Sequence, residues 1–426
     1  MFNILKIAVR NLARFHRRTW LTSTLITLGI VAVLLFIATA GSFKTMMIGQ
    51  FTDGVLGHFQ VHRRGYVASI DTLPLNLNMR PAMVEKVEQL LKTMDGVEAY
   101  SERVKLGAMF SNFTETTSAR VNGIDPEKEA VTMPLLPGRI SHGSKERPLL
   151  KRGEIVIPTL LSRGMKVNVG DTIVLVSTNR DGSVNGKTFV VRGVMDSMTG
   201  PSGRDSYIHI DDARDLLRMK EPEVSEIAIR LKNPAQLDQV YAQLSKELTG
   251  SARKEGKEKS GGASKGGGSG FEVHTWADLS PFSNIVRMID LLTVFIKVML
   301  VSIVLVSVLN VMVMAVYERI REIGTISAIG TPPGKILALF LTEGLLLGLG
   351  GAALGSAISL GVIYALNVWK ITYSFGQQQN LVLAPAVSVA DVLITATMVV
   401  VVALLASLQP AWKASRMDPV RALGHV

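Results

Sequence analysis

Binding a nucleotide phosphate takes a glycine loop followed at fixed spacing by a lysine and a hydroxyl. The run Gly330-Thr331-Pro332-Pro333-Gly334-Lys335-Ile336 offers the glycines and the lysine. Its glycines stand one residue too close together, and isoleucine replaces the Ser or Thr. Gly261–Gly270 is glycine-rich but lacks the pattern altogether. His58, His62, His142 and His209 are scattered, with no His-Glu-x-x-His pair and no carboxylate cluster, so neither a zinc site nor a hydrolase is expected. Asp211, Asp212 and Asp215 read as the cap and first-turn acids of a short helix. The absence of cysteine excludes disulfides and thiolate chemistry. No catalytic, metal or cofactor residues are expected in this chain.

Two other groups carry mechanical rather than chemical promise. Tyr317–Gly330 (YERIREIGTISAIG) combines a charged helix end, a glycine, a short amphipathic piece and a Gly/Pro break. That order predicts a small helix lying along a membrane face, which a partner can grip as a lever. Glu343 falls in the first turns of an apolar stretch, where a carboxylate costs about 2.5–3.5 kcal/mol at mid-membrane and less near an interface. It either pairs with an arginine of the Glu318–Arg321 segment or gains from the positive end of its own helix. Gly344, Gly348, Gly350, Gly351 and Gly355 place small residues on one side of that stretch, and Gly351-x-x-x-Gly355 has the spacing that lets helices approach closely. Packing within the subunit and a dimer interface are both open uses.

The elements that must position these groups are four apolar helices. Leu21–Ala40 carries no charge and spans roughly 30 Å as a helix. Val298–Val316, Ile336–Leu366 and Val392–Leu408 also qualify, in keeping with a mean hydropathy of +0.30. Basic residues set the orientation. Lys6, Arg10, Arg14, Arg17 and Arg18 precede the first span, Arg319, Arg321 and Lys335 lie between the second and third, and Lys413, Arg416 and Arg421 follow the fourth. The positive-inside rule then puts both termini and the 317–335 loop in the cytoplasm, with residues 43–285 outside. The net charge of +11 partly reflects this bias, and without an aromatic-interleaved basic stripe no nucleic acid is expected.

The expected fold class is membrane α-helical, four transmembrane helices with a large α+β extracytoplasmic domain inserted between helices 1 and 2. Residues 1–18 form an amphipathic helix on the inner membrane surface, with Phe2, Leu5, Val9 and Leu12 on one face and Lys6, Arg10, Arg14 and Arg17 on the other. The first span covers 19–42. In the outer domain, helices begin at Pro81 and near Pro234, and strands are expected at Tyr100–Phe110, Ser118–Ile124, Glu154–Ile157, Thr172–Ser177, Lys187–Val194 and Phe271–His274. An α/β subdomain (43–125 plus 225–285) would carry a β-rich insertion at 126–224, and the charged, low-complexity stretch 250–270 reads as a disordered loop. There follow a stalk and second span (286–317), the lever helix (318–334), the third span (335–366), an outer loop (367–388), the fourth span (389–409) and a cytoplasmic tail (410–426).

Four parts of the chain resemble a known family. Glu318-Arg319-x-Arg321-Glu322-Ile323-Gly324-x-x-x-Ala328-x-Gly330, continued by Phe340-Leu341-x-Glu343-Gly344 and Gly350-Gly351-x-x-x-Gly355, is similar to the permease signature of the MacB/FtsX/LolC–LolE superfamily of ABC transporters. Gln409–Leu423 resembles that family's ending, and Arg10-Asn11-Leu12 with Arg17-Arg18-Thr19-x-Leu21-Thr22 its beginning. The run Gly57-His58-Phe59-Gln60-Val61-His62-x-x-Gly65-Tyr66 resembles lipoprotein-release permeases. Thr325-Ile326-Ser327, where relatives often carry basic residues, and Pro332-Pro333 depart from the pattern.

The resemblance implies a permease half in a bacterial inner membrane that pairs with a second copy or a paralogue and binds a separate ABC ATPase, which holds ATP and magnesium. It implies that Glu318, Arg319, Arg321, Glu322, Ile323, Gly324, Ala328 and Gly330 couple to that ATPase, with Glu343, Gly351 and Gly355 supporting the lever. The implied task is moving or releasing lipoproteins or another lipophilic cargo at the outer face. The alternatives are a scaffold that activates a cell-wall hydrolase and efflux of small amphiphiles with a periplasmic adaptor.

Overall fold

An uncharged run of twenty residues has only its own backbone to satisfy its N–H and C=O groups in lipid, so it folds as helix. The computed structural model, which describes residues 2–144, 146–197, 205–259, 270–375 and 378–419, has four helices long and apolar enough to cross a membrane. In chain order the path begins with α1 (Phe2–Arg14) and α2 (His16–Phe51), separated by a kink at Phe15. Helix α2 therefore runs beyond the expected 19–42 at both ends. Glycine and serine at 41 and 42 do not stop α2, because a helix tolerates both.

The α+β part follows: β1 (Phe59–Arg63), α3 (Pro81–Thr93), β2 (Val97–Ser111), β3 (Thr116–Ile124), α4 (Pro126–Thr132), β4 (Ile140–Gly143), β5 (Glu154–Pro158), α5 (Thr159–Met165), β6 (Thr172–Thr178), β7 (Val184–Met195), β8 (Asp205–His209), α6 (Ile210–Leu216), β9 (Glu226–Leu231), α7 (Leu237–Lys259), β10 (Phe271–Thr275) and α8 (Trp276–Leu279). The chain ends through α9 (Ser283–Glu318), α10 (Ile320–Ala328), α11 (Pro333–Trp369), the hairpin β11 (Thr372–Phe375) and β12 (Gln378–Val382), and α12 (Val389–Ser415).

Two units emerge. One comprises Met1–Thr45, Ile285–Tyr373 and Val382–Val426, the other Met46–Asn284 with Ser374–Leu381. In the helical unit, Ile26, Ile30 and Leu34 of α2, Leu300, Val304 and Val308 of α9, Phe340 of α11 and Ala403 of α12 form one core. The α+β unit is built on a single ten-stranded sheet, in the order β10-β1-β9-β2-β3-β8-β5-β7-β4, with β6 paired to β2 and β7. Its long strand β2 belongs to two cores. Residues 97–103 pair with β9, beside the core of α3 and α7 that holds Val87, Leu91 and Leu244, while Leu106 and Phe110 enter a second core with Ile173, Leu175 and Phe189.

Two expectations change. The backbone of 250–259, expected within a disordered loop, continues α7, because Lys, Glu, Ala and Arg are good helix formers. The remainder of that loop, 260–269, lies outside the described residues. The cap of α6 is His209, whose Nδ1 accepts from the Asp211 N–H at 3.2 Å. Asp212 instead accepts from the Gly153 N–H at 2.7 Å and pairs with Lys187 at 2.8 Å, which ties α6 to β7.

Candidate lever junction

Arg319 stands between α9 and α10 with a non-helical backbone (φ −112°, ψ 15°), so the chain bends at this residue. Its side chain turns inward and is 5% exposed. Nη1 donates to Glu343 Oε1 at 2.8 Å, and Asn11 Nδ2 donates to the same oxygen at 2.8 Å. Glu343 is therefore a buried carboxylate held by a cation from the bend and an amide from α1. The Arg319 guanidinium also lies 4.8 Å from the centre of the Phe15 ring, at the α1–α2 kink. Arg14 and Arg18 flank that ring at 5.7 and 5.6 Å.

Two more ion pairs tie the N-terminal segment to the same junction. Arg18 Nη1 donates to Glu318 Oε2 at 2.8 Å, and Arg14 Nη1 to Glu322 Oε1 at 3.2 Å. The second pair is largely exposed and contributes little. At the end of α9, the Tyr317 hydroxyl accepts from Lys413 Nζ of α12 at 3.3 Å. Helix α1 thus presents Ala8, Asn11 and Leu12 to the protein, with Phe15 just beyond its end, while Leu5 and Val9 are exposed. Leu5 and Val9, of the apolar stripe read from the sequence, are thus free to meet a membrane surface, whereas Leu12 packs on the helical core.

The short α10 buries Ile323 and Gly324 and leaves Arg321, Glu322 and Ala328 on the surface. It ends in a Schellman motif: Gly330 N–H bonds to Ser327 O at 3.0 Å and Thr331 N–H to Ile326 O at 3.2 Å. Gly330 has φ +93°, which a side chain would strain. Pro332 and Pro333 then start α11, where a missing N–H costs nothing. Ile329 is left 81% exposed just past α10.

The glycines of α11 let neighbouring helices touch its backbone. A Cβ on Gly351 would come within 2.5 Å of Ile26 Cγ2, and one on Gly355 within 2.8 Å of Ile30 Cβ, both on α2. On Gly344 it would overlap Ser407, and on Gly348 it would meet Ala403 at 2.8 Å, both on α12. These four positions are used for packing inside the subunit, whereas Gly350 meets nothing within 4 Å.

The α+β unit holds a buried ionic cluster that the sequence reading missed. Arg103 donates through Nε and Nη2 to the Glu129 carboxylate at 3.2 and 2.6 Å, and through Nη1 to Glu226 Oε1 at 3.0 Å and the Val55 carbonyl at 2.6 Å. Lys105 Nζ lies 2.8 Å from Glu226 Oε2, and His62 Nε2 is 3.5 Å from the same atom. Burial alone would raise the Glu226 carboxyl; Lys105, His62 and Arg103 outweigh it and hold it well below the usual carboxylate range. Burial pushes the His62 imidazole down despite Glu226. The cluster ties β1, β2, β9 and α4 together. Among the described residues no three acidic or histidine side chains could hold a metal ion.

The model for the MacB-like periplasmic core domain matches residues 19–247, more than half of the chain, and the model for the FtsX-like permease C-terminal region matches 294–419. The chain belongs to the MacB/FtsX/LolC–LolE superfamily of ABC permeases. Among its relatives, the lipoprotein-releasing system transmembrane protein LolC of Neisseria meningitidis serogroup B is 22% identical over 423 residues, covering 94% of this permease and 92% of LolC. The macrolide export ATP-binding/permease protein MacB of Burkholderia thailandensis is 32% identical over 124 residues, 28% of this permease and 17% of MacB. The periplasmic region of MacB from Actinobacillus actinomycetemcomitans aligns at a TM-score of 0.35 with 11% identity, over 55% of this permease and 92% of that chain. As a member of this superfamily, the permease is a multi-pass membrane protein that works with an ABC ATPase.

Proposed function

We propose that this permease passes the stroke of an ABC ATPase from α10 to the α+β unit and so releases a lipoprotein or another lipophilic cargo at the outer face of a bacterial inner membrane. The observation that carries the reading is the end-to-end match to a lipoprotein-releasing permease, compared with a match to MacB confined to 124 residues. The ATPase, a separate subunit, grips the exposed end of α10 around Ile329. A push there moves the bend at Arg319, and the buried Arg319–Glu343 pair makes α10 and α11 move together instead of hinging apart. Helix α9 carries the displacement, since its 36 residues run about 54 Å without a break. Both termini lie in the cytoplasm, residues 43–285 in the periplasm, and the permease pairs with a second copy or a paralogue.

The test is reconstitution of the permease with the ABC ATPase that co-purifies with it from its own cells, in liposomes carrying a fluorescent lipoprotein. ATP-dependent release of the lipoprotein, lost in Ile329→Asp, is expected. ATP hydrolysis without release would overturn the reading. Activation of an added cell-wall hydrolase, or pumping of an amphiphilic dye, would support the scaffold or the efflux reading instead.

A further inference from the structure

Helices α1, α10 and α11 leave a groove of about 550 Å³ between them. Its walls are mainly aliphatic, from Ile4 and Ile7 of α1, Ile323 and Ile326 of α10, and Leu339 and Phe340 of α11. The charged groups that reach it are Arg319, Glu322 and Lys335. Arg319 is committed to Glu343, and Glu322 accepts from Arg14. Lys335 is exposed, with no acidic partner among the described residues. Lys6 and Arg10, on α1 beside Ile7, are likewise exposed and without acidic partners among them. The groove thus joins an apolar trough to an unanswered positive charge. The exposed Leu5, Ile7 and Val9 put α1 against lipid, as a basic amphipathic helix at a membrane surface requires.

We infer that this groove binds one anionic phospholipid of the surrounding bilayer, with an acyl chain along the isoleucines and its phosphate on Lys335. Charge complementarity selects this occupant. A zwitterionic lipid brings its own cation with its phosphate and leaves the net positive charge of Lys335, Lys6 and Arg10 uncompensated, and a free anion would gain nothing from the apolar walls. Basic pockets between membrane helices take anionic headgroups for the same reason. Because the groove is walled by both α10 and α1, a bound lipid stiffens the junction between them.

The full-length permease, purified in detergent, would be titrated with palmitoyl-oleoyl phosphatidylglycerol and with the matching phosphatidylcholine, and bound lipid counted by native mass spectrometry. Tight retention of one phosphatidylglycerol is expected, weakened about fivefold in Lys335→Ala. Ile7→Asp, at a half-exposed position where folding is not at stake, should weaken it at least as much. Lys370→Ala, at the other end of α11, should retain it as wild type does. Equal retention of the two lipids, wild-type retention by both groove variants, or an equal loss in Lys370→Ala would each overturn the inference.

Discussion

Arg319 and Glu343 meet at 2.8 Å with both side chains almost wholly withdrawn from solvent, one at the bend between α9 and α10 and the other inside α11. A buried pair of this kind costs desolvation, so its worth lies less in net stability than in fixing one geometry. Asn11 and the Phe15 ring complete its surroundings, which makes the N-terminal helix part of the same joint.

Removing one partner of that pair should be far worse than removing both. Glu343→Ala or Arg319→Ala leaves an uncompensated buried charge, and a loss of about 3–5 kcal/mol is expected. The double change Arg319→Met with Glu343→Leu should recover most of it while leaving ATPase activity poorly coupled to cargo release. Thermal unfolding in detergent and ATP-dependent release from liposomes read the two effects separately.

The pair between Arg18 and Glu318 is half in water and should contribute no more than about 1 kcal/mol. Its exchange, Arg18→Glu with Glu318→Arg, should restore whatever each single reversal loses. A double-mutant cycle on thermal stability checks this, and failure of the exchange to rescue would count against a direct contact.

Glycines of α11 should divide by position. Gly351→Ala drives a methyl into Ile26, at a cost of about 1–3 kcal/mol, and Ile26→Ala should relieve part of it. Gly350→Ala meets open space and should change stability by less than about 1 kcal/mol. The difference between the two variants in detergent melts is the measurement.

Acid should loosen the α+β unit in two stages. The imidazole of His62 is pushed below its ordinary value of 6.5, so protons favour the unfolded chain once pH falls below that value. Glu226 is held below its ordinary 4.5, so its contribution is full above that pH and is lost as pH falls through its depressed folded value. Stability should be flat above about pH 6.5 and decline below it. Glu226→Gln should remove the lower stage. With Trp20, Trp369 and Trp412 changed to Phe, the fluorescence of Trp276 in α8 reports on this unit alone.

The four spans and the strands at 97–111, 116–124 and 172–178 were legible because their apolar patterns are long or alternate cleanly. Strand β1 was not, since Phe59 and Val61 enter one core while Gln60 and His62 are buried on the opposite face, leaving no contrast between sides. In β2 an alternation such as Arg103-Val104-Lys105-Leu106 ordinarily marks a solvent face at the charges, yet Arg103 and Lys105 are covered and neutralised by Glu129 and Glu226. At the lever, residue types pointed to Glu318–Gly330 and to Glu343. The contribution of α1 was largely hidden because, beside Leu12, its inward residues are Ala8 and Asn11, which no hydrophobicity pattern marks.

The shared strand β2 bears on how this protein can be taken apart. A cut that isolates residues 126–224 would strip Leu106 and Phe110 from their own core, and one that keeps Val97–Ser111 with the remainder would leave those side chains facing water. Neither lobe is a module. Swaps of surface between relatives must therefore graft loops onto an intact sheet.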